Sequence, residues 1–324
     1  MGDEIDMLDL TQLPKVGSGT AEKMKEAGIL SIMSVAVLTP GQMKDAAGGT
    51  EASARKIIQA ARELCKLGYE LGNQIEEKEN SLKKIPTYCE PIDTLLGGGL
   101  ELKTSLEAFG EFASGKTNLS HLLAVSAIKQ FPNSFVIWID TENTFKPSRI
   151  RNFCEGLGMD AEKVLKQIKV GRAVSSDHQI LLTENIEGEI AKGIDVKLIV
   201  VDSVMNHFRA EYLGRGTLSV RQQMLNGYLH KLRKLMDMYE LAVYCTNQVQ
   251  LDPGCMFGSP IKAIGGAILG HFATTRVWIL KGAQGSRVMK MVDSPSLPMG
   301  EARFMIKETI LEGIEQKSVE EIKK

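Results

Sequence analysis

The apolar positions change their period once along the chain, near residue 80. Before that point they recur at helical spacing, most plainly at Ala54, Ile57, Ile58, Ala61 and Leu64, and glycine turns such as LPKVGSG and AAGGT break the helical stretches. Residues 70–84, ELGNQIEEKENSLKK, carry little apolar periodicity and read as a linker. From Ile85 onward the apolar residues gather into short runs: TSLEAFG at 104–110, SFVIWID at 134–140, VKLIVVD at 196–202, ELAVYCTNQV at 240–249 and TRVWILK at 275–281. Helical patterns separate the first four, over Lys116–Gln130, Arg149–Leu157, His178–Lys192 and Leu218–Met238. This alternation predicts a mostly parallel sheet with right-handed crossovers. After Thr274 the runs TRVWILK, SRVMKMVDS and EARFMIK follow one another, which predicts an antiparallel extension. The chain therefore reads as an α/β protein with a small all-α domain at 1–68, a linker at 69–84 and an α/β core at 85–324.

Composition narrows the classes. With 43% hydrophobic and 24% charged residues over 324 positions, the chain has the makeup of a globular protein of about two domains. A formal net charge of −1 excludes a bulk polycation, so any nucleic-acid contact must come from local patches. No apolar run reaches 18 residues, and the acidic start MGDEIDMLDL is unlike a secretion signal. Five scattered cysteines without a C-x-x-C pair fit reduced thiols, so a cytoplasmic protein with no membrane partner is expected.

The sharpest motif is Gly110-Glu111-Phe112-Ala113-Ser114-Gly115-Lys116-Thr117, which matches G-x-x-x-x-G-K-[ST] between a strand and an amphipathic helix opening at Asn118. Such a turn directs backbone N–H groups and a helix N-terminus at phosphate; Lys116 reaches the outer phosphates and Thr117 ligates Mg²⁺. Asp202 ends the run Leu198-Ile-Val-Val, where a carboxylate can hold Mg²⁺ through water or merely cap the strand. Asp140-Thr-Glu142 ends another strand; Glu142 is the better candidate to orient an attacking water, with Asp140 structural. Gln248, in Thr246-Asn247-Gln248, can sense a γ-phosphate from the end of a fourth strand. All these sites fall at strand carboxyl ends, where open α/β sheets bind ligands. The expected ligands are ATP and Mg²⁺.

Two stretches beyond that edge suit DNA. Met205–Gln223 carries Arg209, Tyr212, Arg215 and Arg221 around Gly214-Arg-Gly216 and is expected as a mobile loop. Gln250–Gly270 carries Pro253, Gly254, Gly258, Pro260, Lys262 and Gly265-Gly266. Solvated surface loops are the alternative. At the other end of the chain, LPKVGSGTAEK resembles a helix-hairpin-helix whose glycine turn, Gly17 and Gly19, would offer N–H groups to DNA phosphate. A small bundle for protein contacts is the alternative there.

Taken in order, GEFASGKT, DTENTFKPSRI, LIVVDS, FRAEYLGRGTLSVRQQ, TNQVQ, IGGAILGHFATTR and DSPSLP resemble the archaeal members of the RecA-like strand-exchange family over nearly the whole chain. The resemblance implies a RecA-like ATPase core and a DNA-dependent ATPase that forms helical filaments, with rings as a second assembly. Such filaments form on single-stranded DNA, pair it with homologous double-stranded DNA and receive help from mediator proteins. It implies that Arg149 stacks on adenine, that Asp293-Ser294-Pro295 caps a neighbour's nucleotide, and that K⁺ binds near Asp293. It also places a polymerisation motif at Tyr69-Glu-Leu-Gly72, where the family has a Phe-x-x-Ala pattern. Three departures stand out: Tyr69 and Gly72 themselves, Ala267 where the family has histidine, and a less basic Lys281–Arg287 stretch. They keep open a mediator paralogue that binds DNA and ATP without exchange, and a hexameric helicase is a further alternative on the same core. His271 is either a loop residue near DNA or a structural histidine.

Overall fold

A computed structural model describes residues 6–251 and 261–314, apart from the side chain of Arg215. The chain divides into two compact units. One runs through Ser81 and takes in Asn185–Ile194; the other comprises Leu82–Glu184 and the described chain from Asp195.

In the first unit, helices α1 (Ser18–Glu26), α2 (Ile32–Ala36), α3 (Pro40–Ala47) and α4 (Glu51–Leu64) close over Leu13, Val16, Met24, Ile32, Met43 and Ile57. Reciprocal capping boxes start α3 at Thr39/Gln42 and α4 at Thr50/Ser53, satisfying amides that would otherwise lack partners. The buried positions of α4 are Ala54, Ile57, Ile58 and Ala61, the face the apolar spacing predicts. The stretch read as a linker contains a helix, Gly72–Ser81, with no buried residue. A helix that buries nothing leaves no apolar period to read, which is why the pattern missed it.

The second unit is built on a nine-stranded sheet. Its strands are β1 (Ser105–Phe109), β2 (Phe135–Asp140), β3 (Ile168–Arg172), β4 (Val196–Asp202), β5 (Ala242–Asn247), β6 (Thr275–Lys281), β7 (Ser286–Asp293), β8 (Glu301–Ile306) and β9 (Leu311–Gly313). Their spatial order is β9-β8-β7-β6-β1-β5-β4-β2-β3. The six strands from β6 to β3 pair in parallel, and β7, β8 and β9 continue antiparallel, as the alternation and then its loss predict. Two of these strands escaped the pattern. β3, in KQIKVGR, is an edge strand with two of its five residues exposed and too few apolar positions to register; β9 has three residues.

The helix Lys116–Gln130 is buried around its circumference, with Ser120, His121 and Ser126 enclosed beside Leu119, Leu122 and Leu123. The expected amphipathic helix is therefore a central one, packed between layers. Cys65, Cys89, Cys154 and Cys245 are free thiols. Among the described residues no helix is long and apolar enough to cross a membrane.

Candidate active site

Register brings the site together. Asp140 lies opposite Asp202, and Phe109, which leads into the glycine turn, lies opposite Asn247. The carboxyl ends of β1, β2, β4 and β5 thus deliver Lys116, Glu142, Asp202 and Gln248 to one cavity of about 300 Å³. The turn Phe112–Asn118, Thr144, Ser203 and Thr246 also line it.

Two positions of the turn require glycine. A Cβ on Gly110 would lie 2.3 Å from the carbonyl oxygen of Ile279; Gly115 has φ +111°, and its Cβ would meet Ile306 Cδ1 at 2.7 Å. Across the turn, Lys116 Nζ donates to the carbonyls of Gly110 at 2.9 Å and Glu111 at 2.8 Å. Burial pushes its pKa down, against the opposing pull of Asp202 and Glu142.

Asp202 is buried. It accepts from the Thr246 hydroxyl and, at 3.1 Å, from Thr144 Oγ1, and Thr117 lines the same cavity. Burial still holds its carboxyl above the usual range, a cost that a cation beside it would relieve. A buried carboxylate beside a threonine hydroxyl, at the mouth of a phosphate-type turn, is a hard oxygen donor set that fits Mg²⁺. Among the described residues no three His, Cys, Asp or Glu side chains cluster as a metal cage, and an ion held by Thr117 and Asp202 would take its other ligands from water or phosphate.

Glu142 Oε1 accepts from Ser203 Oγ at 2.7 Å and from Gln248 Nε2 at 3.1 Å. Asp140 folds the segment carrying Glu142, accepting from the amides of Glu142, Thr144 and Phe145 at 3.0–3.2 Å. His121 fixes the far end of that segment. The Lys146 amide donates to Nε2 at 3.0 Å, so Nδ1 carries the proton and donates to the Thr117 carbonyl at 2.7 Å. Motif spacing gave no sign of Ser203, Thr144 or His121, because each acts through a contact distant in sequence.

Arg149 is half-buried. Its guanidinium lies over the Phe153 ring at 4.0 Å and donates to Asn118 Oδ1 and to the carbonyls of Lys307 and Glu308. Asp293, Ser294 and Pro295 do not join this cavity. Asp293 pairs with Arg276 at the start of β6 and lines a separate cavity with Lys262, Ala267, His271 and Arg276.

The stretch Met205–Gln223, expected as a mobile loop, is largely helical. Arg209 sits on the helix Asn206–Glu211, Tyr212 caps its end, and Arg221 lies in the first turn of the helix Leu218–Tyr239. The helices arise because Phe208 and Leu225 bury apolar side chains there. Arg215 opens a 3₁₀ turn, and its side chain lies outside the described residues, as do Pro253, Gly254, Gly258 and Pro260. The second stretch begins in a ribbon, Val249–Leu251 with Ile261–Ala263, which leads through Gly265 and Gly266 into the helix Gly266–Phe272. Arg209, Arg221, Gln250, Gly265 and Gly266 border one cavity of about 210 Å³; Tyr212 and Lys262 do not.

In the first unit, Gly17 and Gly19 are exposed at the start of α1, and a Cβ at either would meet nothing within 4 Å. Tyr69 is fully exposed, and Gly72 opens the unburied helix.

A glycine turn on a parallel sheet, with carboxylates at the adjoining strand ends and an antiparallel extension, defines a RecA-like P-loop core. Residues 78–316 match the Rad51 family model, and residues 7–63 match that of a SAM-like helix-hairpin-helix tandem. The chain is 45% identical over 318 residues to the DNA repair and recombination protein RadA of Methanoculleus marisnigri, covering 93% of this chain and 97% of that one. Against the protein of the same description from Methanocorpusculum labreanum it is 42% identical over 320 residues, covering 92% and 97%. The chain belongs to the Rad51 family of recombinases.

Proposed function

We propose that this protein is a DNA-dependent ATPase that assembles as a filament on single-stranded DNA and catalyses homologous pairing and strand exchange in recombination and repair. In this reading Lys116 and the turn amides bind the triphosphate, Glu142 orients water and takes up its proton, and Gln248 reads the γ-phosphate. Thr117 and Asp202 would hold Mg²⁺, which when bound offsets negative charge on the phosphate oxygens. Arg149 would offer its guanidinium to the adenine, and Asp293-Ser294-Pro295 of a neighbouring subunit would close over the nucleotide, with K⁺ beside Asp293.

The observation that carries the reading is the reach of Gln248. Its side chain bonds to Glu142, its carbonyl accepts from the Ile264 amide at 3.0 Å, and Ile264 leads into Gly265-Gly266 at the arginine cavity. A nucleotide that pulls Gln248 therefore pulls the base of the second DNA stretch. Arg209 and Arg221 would grip DNA phosphates without reading sequence, which leaves the bases to pair with one another. Arg215, Tyr212, Lys262, and the turn at Gly17 and Gly19 would add contacts.

Assembly would use Tyr69, whose exposed ring needs a cover, against the edge strand β3 of the next subunit, where Val170 is exposed, as is Val174 just past its end. The setting is the archaeal cytoplasm, with mediator proteins as further partners. Purified protein with ATP and Mg²⁺ should pair a single strand with homologous duplex. DNA binding without exchanged product would reassign it as a mediator paralogue.

A further inference from the structure

We infer that Arg287 is a positioning residue for the nucleotide, acting through the phosphate turn from outside it; the inference rests on the proposed ATP site and deepens it. The stretch Lys281–Arg287, which spans the connection from β6 to β7, packs on the turn. Lys281 Nζ lies 3.9 Å from the Glu111 carboxylate. Arg287 donates from Nε to the Ser114 carbonyl at 3.0 Å and from Nη2 to the Ala113 carbonyl at 3.2 Å. Its Nη1 is fixed to the carbonyls of Gly285 and Ser286 at 2.8 and 2.9 Å, so the fork is held from behind.

The geometry has a chemical consequence. In a trans peptide unit the C=O and N–H point in opposite directions. An arginine that holds the Ser114 oxygen on one side turns the Gly115 N–H to the other, and the nearby positive charge strengthens that amide as a donor. Ala113 needs such support because it has φ +59°, a conformation that a residue with a Cβ adopts at a cost. Gly115 caps the helix that begins at Lys116, so its orientation governs the first amides a β-phosphate would meet. The modest basicity of this stretch then has a different meaning: its one arginine serves the turn.

The test is nucleotide binding by full-length wild type, Arg287→Gln and Arg287→Lys, with ADP and AMP competed against a fluorescent ADP. Loss of two charge-assisted hydrogen bonds should weaken ADP about tenfold or more in Arg287→Gln. AMP, which lacks the β-phosphate, should bind as in wild type. Arg287→Lys should recover part of the ADP affinity. ADP affinity within twofold of wild type in Arg287→Gln overturns the inference, as does an equal loss for AMP and ADP, which a general loosening would give. Should wild type bind neither nucleotide, the ATP-site reading itself fails.

Discussion

Gln248 donates from Nε2 to Oε1 of Glu142 at 3.1 Å, the same oxygen that accepts from Ser203. The residue proposed to sense phosphate and the one proposed to orient water therefore share a contact, although 105 residues lie between them in sequence. A γ-phosphate drawing Gln248 away would free that oxygen for water. Sensing and turnover would then be one event.

Removing the Glu142 charge should separate binding from hydrolysis. Glu142→Gln should keep ATP affinity within about threefold while lowering turnover by about 100-fold or more, the scale of a lost general base. Lys116→Ala should lose nucleotide binding altogether. Equilibrium binding paired with phosphate release checks both, and hydrolysis at the wild-type rate in either variant would displace these residues from their roles.

Gln248→Ala should bind ATP normally yet lose communication. DNA affinity measured with an uncleavable ATP mimic and with ADP should converge to about the same value in this variant. A wild-type difference between the two would remove Gln248 from the relay.

The parallel core and its antiparallel extension were legible because buried strands such as VKLIVVD are continuous apolar runs. The phosphate turn was legible because local backbone geometry dictates its glycines. What escaped was chemistry assembled across the sheet. Ser203 on Glu142, His121 between Thr117 and Lys146, and Arg287 on the turn each depend on register or on packing between layers. Met205–Gln223 looked like a loop because glycines flank Arg215, yet burial of Phe208 and Leu225 holds helices on either side.

His121 gives a pH signature. It is buried, and its pKa is pushed down from 6.5 to about 4, chiefly by burial. Between those values the unfolded chain binds a proton that the folded chain does not, so stability falls as the pH drops from 6.5 toward 4, by about 3 kcal/mol at most. Urea unfolding of wild type and His121→Gln at pH 7 and pH 4.5 isolates this contribution from that of the carboxylates. Wild type should lose more stability than the variant, and parallel losses would contradict the buried neutral imidazole.

Tyr69→Ala should shorten or abolish filaments while leaving nucleotide binding by single subunits unchanged, because Tyr69 has no part in the cavity around Lys116. Electron microscopy with a matched binding curve checks this. Filaments of undiminished length would move the assembly contact elsewhere.

The most direct measurement is the affinity of wild-type protein for single-stranded DNA, with Mg²⁺, in the presence of ADP, an uncleavable ATP mimic or no nucleotide. Tight binding with the mimic, weaker by about tenfold or more in the other two conditions, is the predicted result if the γ-phosphate is what engages Gln248. Equal affinity under all three conditions would contradict the coupling of nucleotide to DNA.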